Sequence, residues 1–135
     1  MSYKRVMVSG GFDPVHVGHV RMIQEAATYG PVVVAVNSDD WLMRKKGYVF
    51  MPWQERAEIM LSIKGVRDVV AVDDSDNTVC EAIREEFPHA FANGGDRKDN
   101  NVPEVALCEE MGIELLWNVG GGKVQSSSDL VRESK

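Results

Sequence analysis

Hydrophobic positions along the chain alternate between two patterns. Short, nearly continuous apolar runs such as PVVVAV at 31–36 and DVVAV at 68–72 are typical of strands covered on both faces of a sheet. Between them, apolar residues recur at every third or fourth position, as in 18–29, which is typical of helices. The patterns predict strands at 4–9, 31–37, 66–72, 89–92 and 113–117, and helical segments at 18–29, 39–45, 52–64, 77–87, 103–111 and from about 127.

The regular alternation of strands and helices indicates βαβ units and a parallel sheet. We therefore expect an α/β fold, a doubly wound, Rossmann-like domain with a five-stranded parallel sheet. No linker, repeat or low-complexity segment interrupts the pattern, so residues 1–135 are expected to form a single domain.

Polar residues and glycines gather directly after the predicted strands. In an open parallel sheet, ligands bind beyond the carboxyl ends of the strands, where the strand order reverses. The sequence therefore predicts a binding site at that edge of the sheet. The segments expected there are 9–13, 37–40, 73–74, 93–96 and 118–128.

Composition narrows the class of protein. A formal charge of −6 argues against broad nucleic-acid binding, because phosphate backbones select basic surfaces. Cys80 and Cys108 do not form a C-x-x-C motif and are expected to be reduced core thiols. No apolar run approaches the roughly 20 residues of a membrane span, and the first residues carry too short an apolar run for a signal peptide. We therefore expect a soluble, cytoplasmic protein that binds neither membranes nor nucleic acid.

The most informative segment is SGGFDPVHVGH at 9–19, where a predicted strand ends in glycines and two histidines follow. His16 and His19 fall near the start of the helix at 18–29, where free backbone N–H groups and the positive end of the helix dipole favour a polyphosphate. Two alternatives are a zinc site, for which no third ligand lies near, and a pair of structural histidines. Neither a G-x-G-x-x-G nor a G-x-x-x-x-G-K-[ST] motif occurs, which disfavours dinucleotide and Walker-type loops.

GGFDPVHVGH resembles the GxFDxxHxGH signature of the cytidylyltransferase-like nucleotidyltransferases. The similarity is greatest to the glycerol-3-phosphate cytidylyltransferases and the heptose-1-phosphate adenylyltransferase domains, and it covers nearly the whole chain. Further segments match in order, namely VVVAVNSDDW, Lys46-Gly47, Gln54-Glu55-Arg56, Asn93-Gly94-Gly95-Asp96 and Ser126-Ser127-Ser128.

The resemblance implies transfer of a CMP or AMP group from CTP or ATP to a phosphorylated sugar or polyol, with release of pyrophosphate. It further implies Mg²⁺ as a cofactor and a homodimer. One alternative is a coenzyme adenylyltransferase of the pantetheine-phosphate or flavin type, because SSSDLVRE is similar to the serine-rich segment of those enzymes. A second alternative is a nucleotide-binding regulatory module without turnover.

Site residues follow from the same resemblance. It implies catalytic roles for His16, His19 and Lys46. The residues that it implies in nucleotide binding are Gly10, Gly11, Phe12, Asp13, Arg56, Gly94, Asp96, Ser126, Ser127 and Ser128. Where the glycerol-3-phosphate enzymes have an arginine in Arg-Thr-Glu-Gly, this chain has Gly-Gly-Lys-Val at 121–124, and Lys123 is the nearest replacement for binding the acceptor.

Each of these residues also has a plainer interpretation. Asp13 is placed to cap a helix, Lys46 belongs to a basic run at 44–46 that solvent could surround, and Arg56 could pair with an acidic neighbour, Glu55 or Glu58. Residues 94–96 could form a simple turn, and 126–128 a helix cap. Separately, four aromatic residues within 13 positions suggest cover for the active site or a subunit interface. They are Trp41, Tyr48, Phe50 and Trp53.

Overall fold

The computed structural model describes residues 5–94 and 102–120. Within them, every predicted strand and helix is present, with ends that differ by up to three residues. The strands are β1 (Val6–Gly10), β2 (Val32–Val36), β3 (Val66–Ala71), β4 (Ala90–Ala92) and β5 (Glu114–Leu116). The helices are α1 (Val17–Ala27), α2 (Asp39–Lys46), α3 (Trp53–Leu61), α4 (Cys80–Glu86) and α5 (Val102–Met111). The helix predicted from about 127 lies outside the described residues.

All five strands pair in parallel in the order β3-β2-β1-β4-β5, which confirms the predicted doubly wound sheet. The order reverses at β1, so the topological switch lies between β1 and β4. The ladder between β1 and β2 continues to the pair Gly10–Val36, whereas that between β1 and β4 ends at Met7–Phe91. A crevice therefore opens beside the carboxyl end of β1, on the side of β4.

The central strands are buried on both faces, which explains their continuous apolar sequence. Val6 and Val8 of β1 face one layer, with Ile23 of α1 and Met60 of α3. Met7 of β1 faces the other layer. Its partners there include Ile83 of α4 and Cys108 of α5, together with Cys80. Burial raises the pKa of the Cys108 thiol to about 11, as expected for an inert core residue.

Helix α2 has favourable signals at both ends, and these fix the position of its last residue, Lys46. The hydroxyl of Ser38 accepts a hydrogen bond from the Trp41 N–H at 3.0 Å, which caps the start of the helix. The helix ends at Gly47, whose φ of 82° suits glycine. Acidic residues occupy its first turn and basic residues its last, in agreement with the helix dipole.

The two largest differences from the predicted boundaries have local causes. Residues 77–79 precede α4 instead of opening it, because the Asp76 carboxylate accepts the Thr78 N–H at 3.0 Å and forms a tight turn. The predicted helix at 52–64 stops at Leu61, and the chain then turns toward Gly65, whose φ is 100°. In the part of the chain that the structure describes, no helix is both long and apolar enough to cross a membrane.

Candidate active site

His16 and His19 together cap the start of helix α1. The Gly18 N–H donates to His16 Nδ1 at 3.0 Å, and the His16 N–H donates to His19 Nδ1 at 3.2 Å. This reciprocal arrangement is a capping box in which imidazoles replace the usual hydroxyl and carboxylate. The two rings stack with their centroids 3.9 Å apart. The predicted position of both histidines at the helix N-terminus is confirmed.

The capping bonds also determine where each imidazole carries its proton. A ring nitrogen that accepts a hydrogen bond has a free lone pair, so the proton of the neutral ring lies on the other nitrogen, Nε2. Burial, and secondarily the neighbouring His16, lower the pKa of His19 to about 3. His19 is therefore neutral near pH 7, and the pair offers two Nε2–H donors at the positive end of α1.

Gly18 is needed because of the His16 ring. A Cβ atom at this position would lie 2.8 Å from His16 Cε1, closer than such atoms approach in proteins. Below the pair, the buried Phe12 ring meets the His19 ring edge-on, with centroids 4.9 Å apart. The imidazoles are thus held by the backbone on one side and by an aromatic ring on another.

The glycine loop, residues 10–13, turns three carbonyl groups toward protein donors. Gly10 O accepts the Asn37 N–H at 2.9 Å, Gly11 O accepts from Arg56 Nη1 at 2.7 Å, and Asp13 O accepts from Lys46 Nζ at 2.7 Å. In a trans peptide, the N–H points opposite to the C=O of the same unit. The Gly11 N–H therefore points away from β2, toward the crevice, and the Phe12 N–H points away from Arg56.

Asp13 connects the glycine loop to the segment before α3. Its buried carboxylate accepts the backbone N–H groups of Phe50 at 2.7 Å and Met51 at 2.5 Å, and Lys46 Nζ lies 3.6 Å from Oδ2. The interpretation of Asp13 as a cap for α1 is therefore wrong, since His16 fills that position. Its carboxylate instead fixes the chain that follows α2.

Lys46 differs from its two basic neighbours. Its side chain is 11% exposed and reaches Asp13, while its ammonium also lies 4.9 Å from the centre of the Tyr48 ring. Arg44 instead donates to the Asp74 carbonyl at 2.7 Å, and the Lys45 ammonium lies 4.6 Å from the Trp41 ring centre. The interpretation of Lys46 as part of a solvated basic run is therefore wrong, because this lysine lies against the glycine loop.

Arg56 lies beneath the loops and is fully buried. Its Nε donates to Met51 O at 2.9 Å, and Nη1 donates to both Gly11 O and Asn37 O, the latter at 2.8 Å. Its Nη2 pairs with Asp39 Oδ1 at 2.5 Å. The suggested pairing of Arg56 with Glu55 or Glu58 is wrong, because the carboxylate partner belongs to α2.

Asp39 and Asp74 hold the loops of this site in place through their carboxylates, although the sequence identified them only as members of polar segments. The buried Asp74 carboxylate accepts from Asn37 Nδ2 at 3.0 Å, the Ser38 N–H at 2.8 Å and the Ser38 hydroxyl at 2.6 Å. It thereby joins the loop after β3 to the loop after β2. The only sequence signal for Asp39 and Asp74 was their position after predicted strands. That signal could not identify hydrogen-bond partners so distant in sequence.

The loops after β4 and β5 lie against α1 on the other side of the crevice. The Val119 N–H donates to Asn93 O at 2.9 Å, which joins the two loops. A Cβ at Gly120 would lie 3.0 Å from Met22 Cα, and one at Gly94 would lie 3.4 Å from Met22 Sδ. Gly94 is thus close to α1. The other predicted residues of this region lie outside the described residues, namely Gly95, Asp96, Lys123, Ser126, Ser127 and Ser128.

Three carboxylates at this edge of the sheet, those of Asp13, Asp39 and Asp74, already have partners within the protein. Both oxygens of Asp13 accept backbone N–H groups, Asp39 pairs with Arg56, and Asp74 holds the loop after β2. Across residues 5–94 and 102–120, no group of three or more His, Cys, Asp or Glu side chains could hold a metal ion. The acidic residues described here therefore do not fit a magnesium site of the protein's own.

Comparison with known proteins places this geometry in a family. Residues 7–118 match the family model described as cytidylyltransferase-like. The protein named Bifunctional protein HldE from Aliarcobacter butzleri is 30% identical over 98% of this chain, and that from Pelobacter propionicus is 35% identical over 96%. The chain covers 28% of each of these relatives, so it spans little more than a quarter of their length.

Solved structures show the same fold. The lipopolysaccharide core biosynthesis protein from Thermoplasma volcanium superimposes with a TM-score of 0.69 and 24% identity, over 86% of this chain and 94% of that one. The bifunctional NMN adenylyltransferase/ADP ribose pyrophosphatase from Francisella tularensis gives a TM-score of 0.68 at 14% identity, over 97% of this chain and 42% of that one.

Proposed function

The chain belongs to the cytidylyltransferase-like family of nucleotidyltransferase enzymes, and from that premise we propose that it transfers AMP from ATP to a phosphorylated sugar. The choice of ATP and of a sugar phosphate follows the resemblance of the sequence motifs to heptose-1-phosphate adenylyltransferase domains, and the relatives named HldE cover nearly the whole chain. The proposal depends mainly on one observation. The Nδ1 atoms of His16 and His19 accept backbone N–H groups, so the Nε2–H donors of both rings lie at the N-terminus of α1, beside the glycine loop.

In the proposed reaction, a phosphate oxygen of the acceptor attacks the α-phosphorus of ATP. The bond between that phosphorus and the oxygen bridging to the β-phosphate breaks, and pyrophosphate leaves with the bonding electron pair. Negative charge therefore grows on the bridging oxygen and on the oxygens of the α-phosphate. No covalent intermediate with the protein is needed, so catalysis consists of positioning and electrostatic stabilisation.

The proposed roles follow from the contacts of each side chain. His16 and His19 donate their Nε2–H groups to the phosphates, and because His19 is neutral, no free-energy cost of burying a charge arises there. The free N–H groups of the first turn of α1 add to this donor set. Lys46 supplies a positive charge beside the glycine loop. Because Asp13 fixes the Lys46 ammonium, this charge is in position before the substrate binds.

We propose that the triphosphate binds in the crevice between β1 and β4. The N–H of Gly11 points into it, and the N-terminus of α1 and the loops after β4 and β5 border it. We further propose that Gly94, Asp96, Ser126, Ser127 and Ser128 contact the nucleotide and that Lys123 contacts the acceptor phosphate, as the family resemblance implies. In this proposal magnesium enters the site bound to the triphosphate and is not held by the carboxylates described above.

A pyrophosphate-release assay tests the function. ATP, CTP, GTP and UTP, each with magnesium, are combined with a panel of sugar 1-phosphates and with glycerol 3-phosphate. We expect the highest kcat/KM with ATP and a sugar 1-phosphate. A higher kcat/KM with CTP or with glycerol 3-phosphate contradicts the specific assignment. Nucleotide binding in a thermal-shift measurement, without pyrophosphate release for any acceptor, would instead indicate a regulatory module.

A further inference from the structure

We propose that Arg56 is a positioning residue, which orients the glycine loop without touching the nucleotide. In the experiments below that measure turnover, this inference rests on the proposed function. It departs from the role that family resemblance implies for Arg56, which is contact with the phosphates. The burial of its guanidinium, the conformational freedom of Gly11 and the charge balance with Asp39 support it.

The first support is the burial of the guanidinium. Arg56 is 0% exposed, and four of the five N–H groups that a guanidinium has are accounted for by the contacts to Met51, Gly11, Asn37 and Asp39. A residue that binds phosphate needs N–H donors that face solvent before the phosphate arrives. Arg56 would have to break existing bonds to provide them.

The second support is the freedom of the backbone at Gly11. A Cβ there would make tight contacts with α2, because it would lie 3.0 Å from Leu42 Cδ2 and 3.3 Å from Trp41 Cζ3. Glycine at this position allows the peptide that follows it to rotate. A rotated Gly11–Phe12 peptide would turn its carbonyl oxygen toward a bound phosphate and repel it. The bond from Arg56 Nη1 to Gly11 O prevents that rotation.

The third support is the charge balance. Asp39 pairs with the buried guanidinium, and its own side chain is 43% exposed. The pair joins α3 to the first turn of α2, the helix whose last residue is Lys46. Arg56 therefore holds both the loop that presents N–H groups and the helix that presents Lys46. An arginine whose charge a carboxylate already balances attracts phosphate less than a free one.

The first experiment replaces Arg56 with lysine, and Arg44→Lys on α2 is the matched control. Lysine keeps the charge but cannot reach four acceptors in a fixed plane. We expect kcat of Arg56→Lys to fall about 100-fold, as for small misplacements of catalytic groups, while the Kd values for ATP and CTP with magnesium change less than about threefold. A Kd at least tenfold weaker with kcat retained would show that Arg56 binds the phosphates. An unchanged kcat and Kd with a lowered Tm would show that Arg56 has a purely structural role. Either result overturns the proposal.

The second experiment stays informative if Arg56→Lys does not fold, because it changes the partner instead. Asp39→Asn weakens the pair with Arg56, and Asp40→Asn removes an equal charge from an exposed neighbour in the same turn. We expect kcat to fall about tenfold or more in Asp39→Asn alone, with similar ATP affinity in both variants. Stronger ATP binding in Asp39→Asn than in Asp40→Asn, with kcat retained, would show that the released guanidinium binds phosphate and would overturn the proposal.

A third measurement separates this inference from the proposed function, because it needs no turnover. In NMR spectra of the protein without nucleotide, we expect the amide signals of Gly11 and Phe12 to broaden or double in Asp39→Asn and Arg56→Lys, but not in Asp40→Asn. The amide of Val34 in β2 serves as an internal reference. Unchanged Gly11 and Phe12 signals in both variants would overturn the positioning role even if the enzyme is active. Broadened signals in a protein that releases no pyrophosphate would support the orientation of the loop by Arg56 and refute the proposed function instead.

Discussion

The two nitrogens of one imidazole perform separate tasks at this site. In both His16 and His19, Nδ1 accepts a backbone N–H, and this leaves Nε2–H as the donor. A serine or glutamate would cap the helix equally well, but neither would then offer a rigid N–H donor on the same side chain. In the proposed function, histidine is therefore needed because it combines capping with donation.

This division of tasks predicts different results for asparagine and alanine at positions 16 and 19. Asparagine places Oδ1 near the position of Nδ1, so it keeps the cap but loses the Nε2–H donor. We expect His16→Asn and His19→Asn to retain the wild-type free energy of unfolding, and each alanine variant to lose about 1 kcal/mol. Turnover should fall about 10²–10³-fold in all four variants.

Denaturant unfolding and pyrophosphate release measure the two effects separately. If the asparagine variants turn over at wild-type rates with saturating substrates, the histidines are caps only. If they are as unstable as the alanine variants, the capping bonds contribute less than their geometry indicates.

The lowered pKa of His19 predicts how stability depends on pH. Between pH 6.5 and about 3, the unfolded chain binds a proton at this side chain that the folded chain does not bind. The contribution of His19 to the free energy of unfolding is therefore complete above pH 6.5 and is lost as the pH falls toward 3. Urea unfolding at pH 7.5, 6.0 and 4.5 should show a steeper loss for the wild type than for His19→Asn. Parallel losses in the two proteins would contradict the assignment.

Lys46 and Lys45 form a matched pair for testing charge at the glycine loop. Only Lys46 contacts Asp13, whereas Lys45 packs on Trp41 at the surface. We expect Lys46→Met to weaken ATP binding at least tenfold, because a partly desolvated ammonium beside the proposed position of the triphosphate is lost. Lys45→Met should change the affinity by less than about twofold, since exposed charges contribute little. Calorimetric titration with ATP and magnesium measures the affinity of both variants. Equal effects of the two substitutions would refute a specific role for Lys46.

Sequence reasoning predicted several individual residues but not their contacts. The N-terminal position of the two histidines followed from the helical spacing of 18–29. The contacts of Asp13 and Arg56 could not be predicted, because their partners lie between 5 and 45 positions away and depend on how three loops meet. The interpretations of these residues as a local cap and a local ion pair considered only sequence neighbours, and the structure shows partners that tertiary packing supplies.

At the scale of elements, the first turn of α1 is shaped by the contact between Gly18 and His16. Alanine is intrinsically better than glycine in a helix by about 1 kcal/mol, so Gly18→Ala should not destabilise the helix itself. Its Cβ would nevertheless displace the His16 ring, from which it would lie 2.8 Å. The displaced ring would lose its capping bond from residue 18, which costs about 1 kcal/mol and offsets the gain in helix propensity. We expect a Tm close to that of the wild type and a kcat reduced about tenfold or more. Val17→Ala, at the exposed neighbouring position, is the control and should keep its kcat.

The elements were predictable because their signals are strong and agree with one another. The continuous apolar run at 31–36 marked β2, which is buried throughout. The run at 68–72 marked β3 correctly, but its expected burial on both faces is wrong, because β3 is an edge strand whose residues are exposed or half-buried. The boundaries were less certain wherever side chains compete with the backbone. At 77–79, the carboxylate of Asp76 and the hydroxyl of Thr78 bind nearby N–H groups and delay the start of α4 until Cys80.

At the scale of the whole molecule, the aromatic segment after α2 bears on assembly. Trp53 packs on the core and donates to Val36 O at 3.1 Å, whereas Phe50 is 53% exposed. We expect a homodimer with Phe50 in the interface, so light scattering should give about twice the 15.0 kDa mass of the chain. Phe50→Ser should weaken the dimer, and Phe87→Ser, at an equally exposed phenylalanine elsewhere, should not. A 15.0 kDa particle at micromolar concentration would contradict the expectation.

The crevice between β1 and β4 is also the place where the two parts of the chain meet. Residues 5–71 supply β3, β2 and β1 on one side, and residues 80–116 supply β4 and β5 on the other, with two residue pairs joining them in the sheet. A nucleotide in the crevice would touch both parts and hold them together. If the chain were divided at the exposed residues 75–76, the two fragments would reassemble more tightly in its presence. The divided protein would then act as a sensor whose complementation reports the nucleotide.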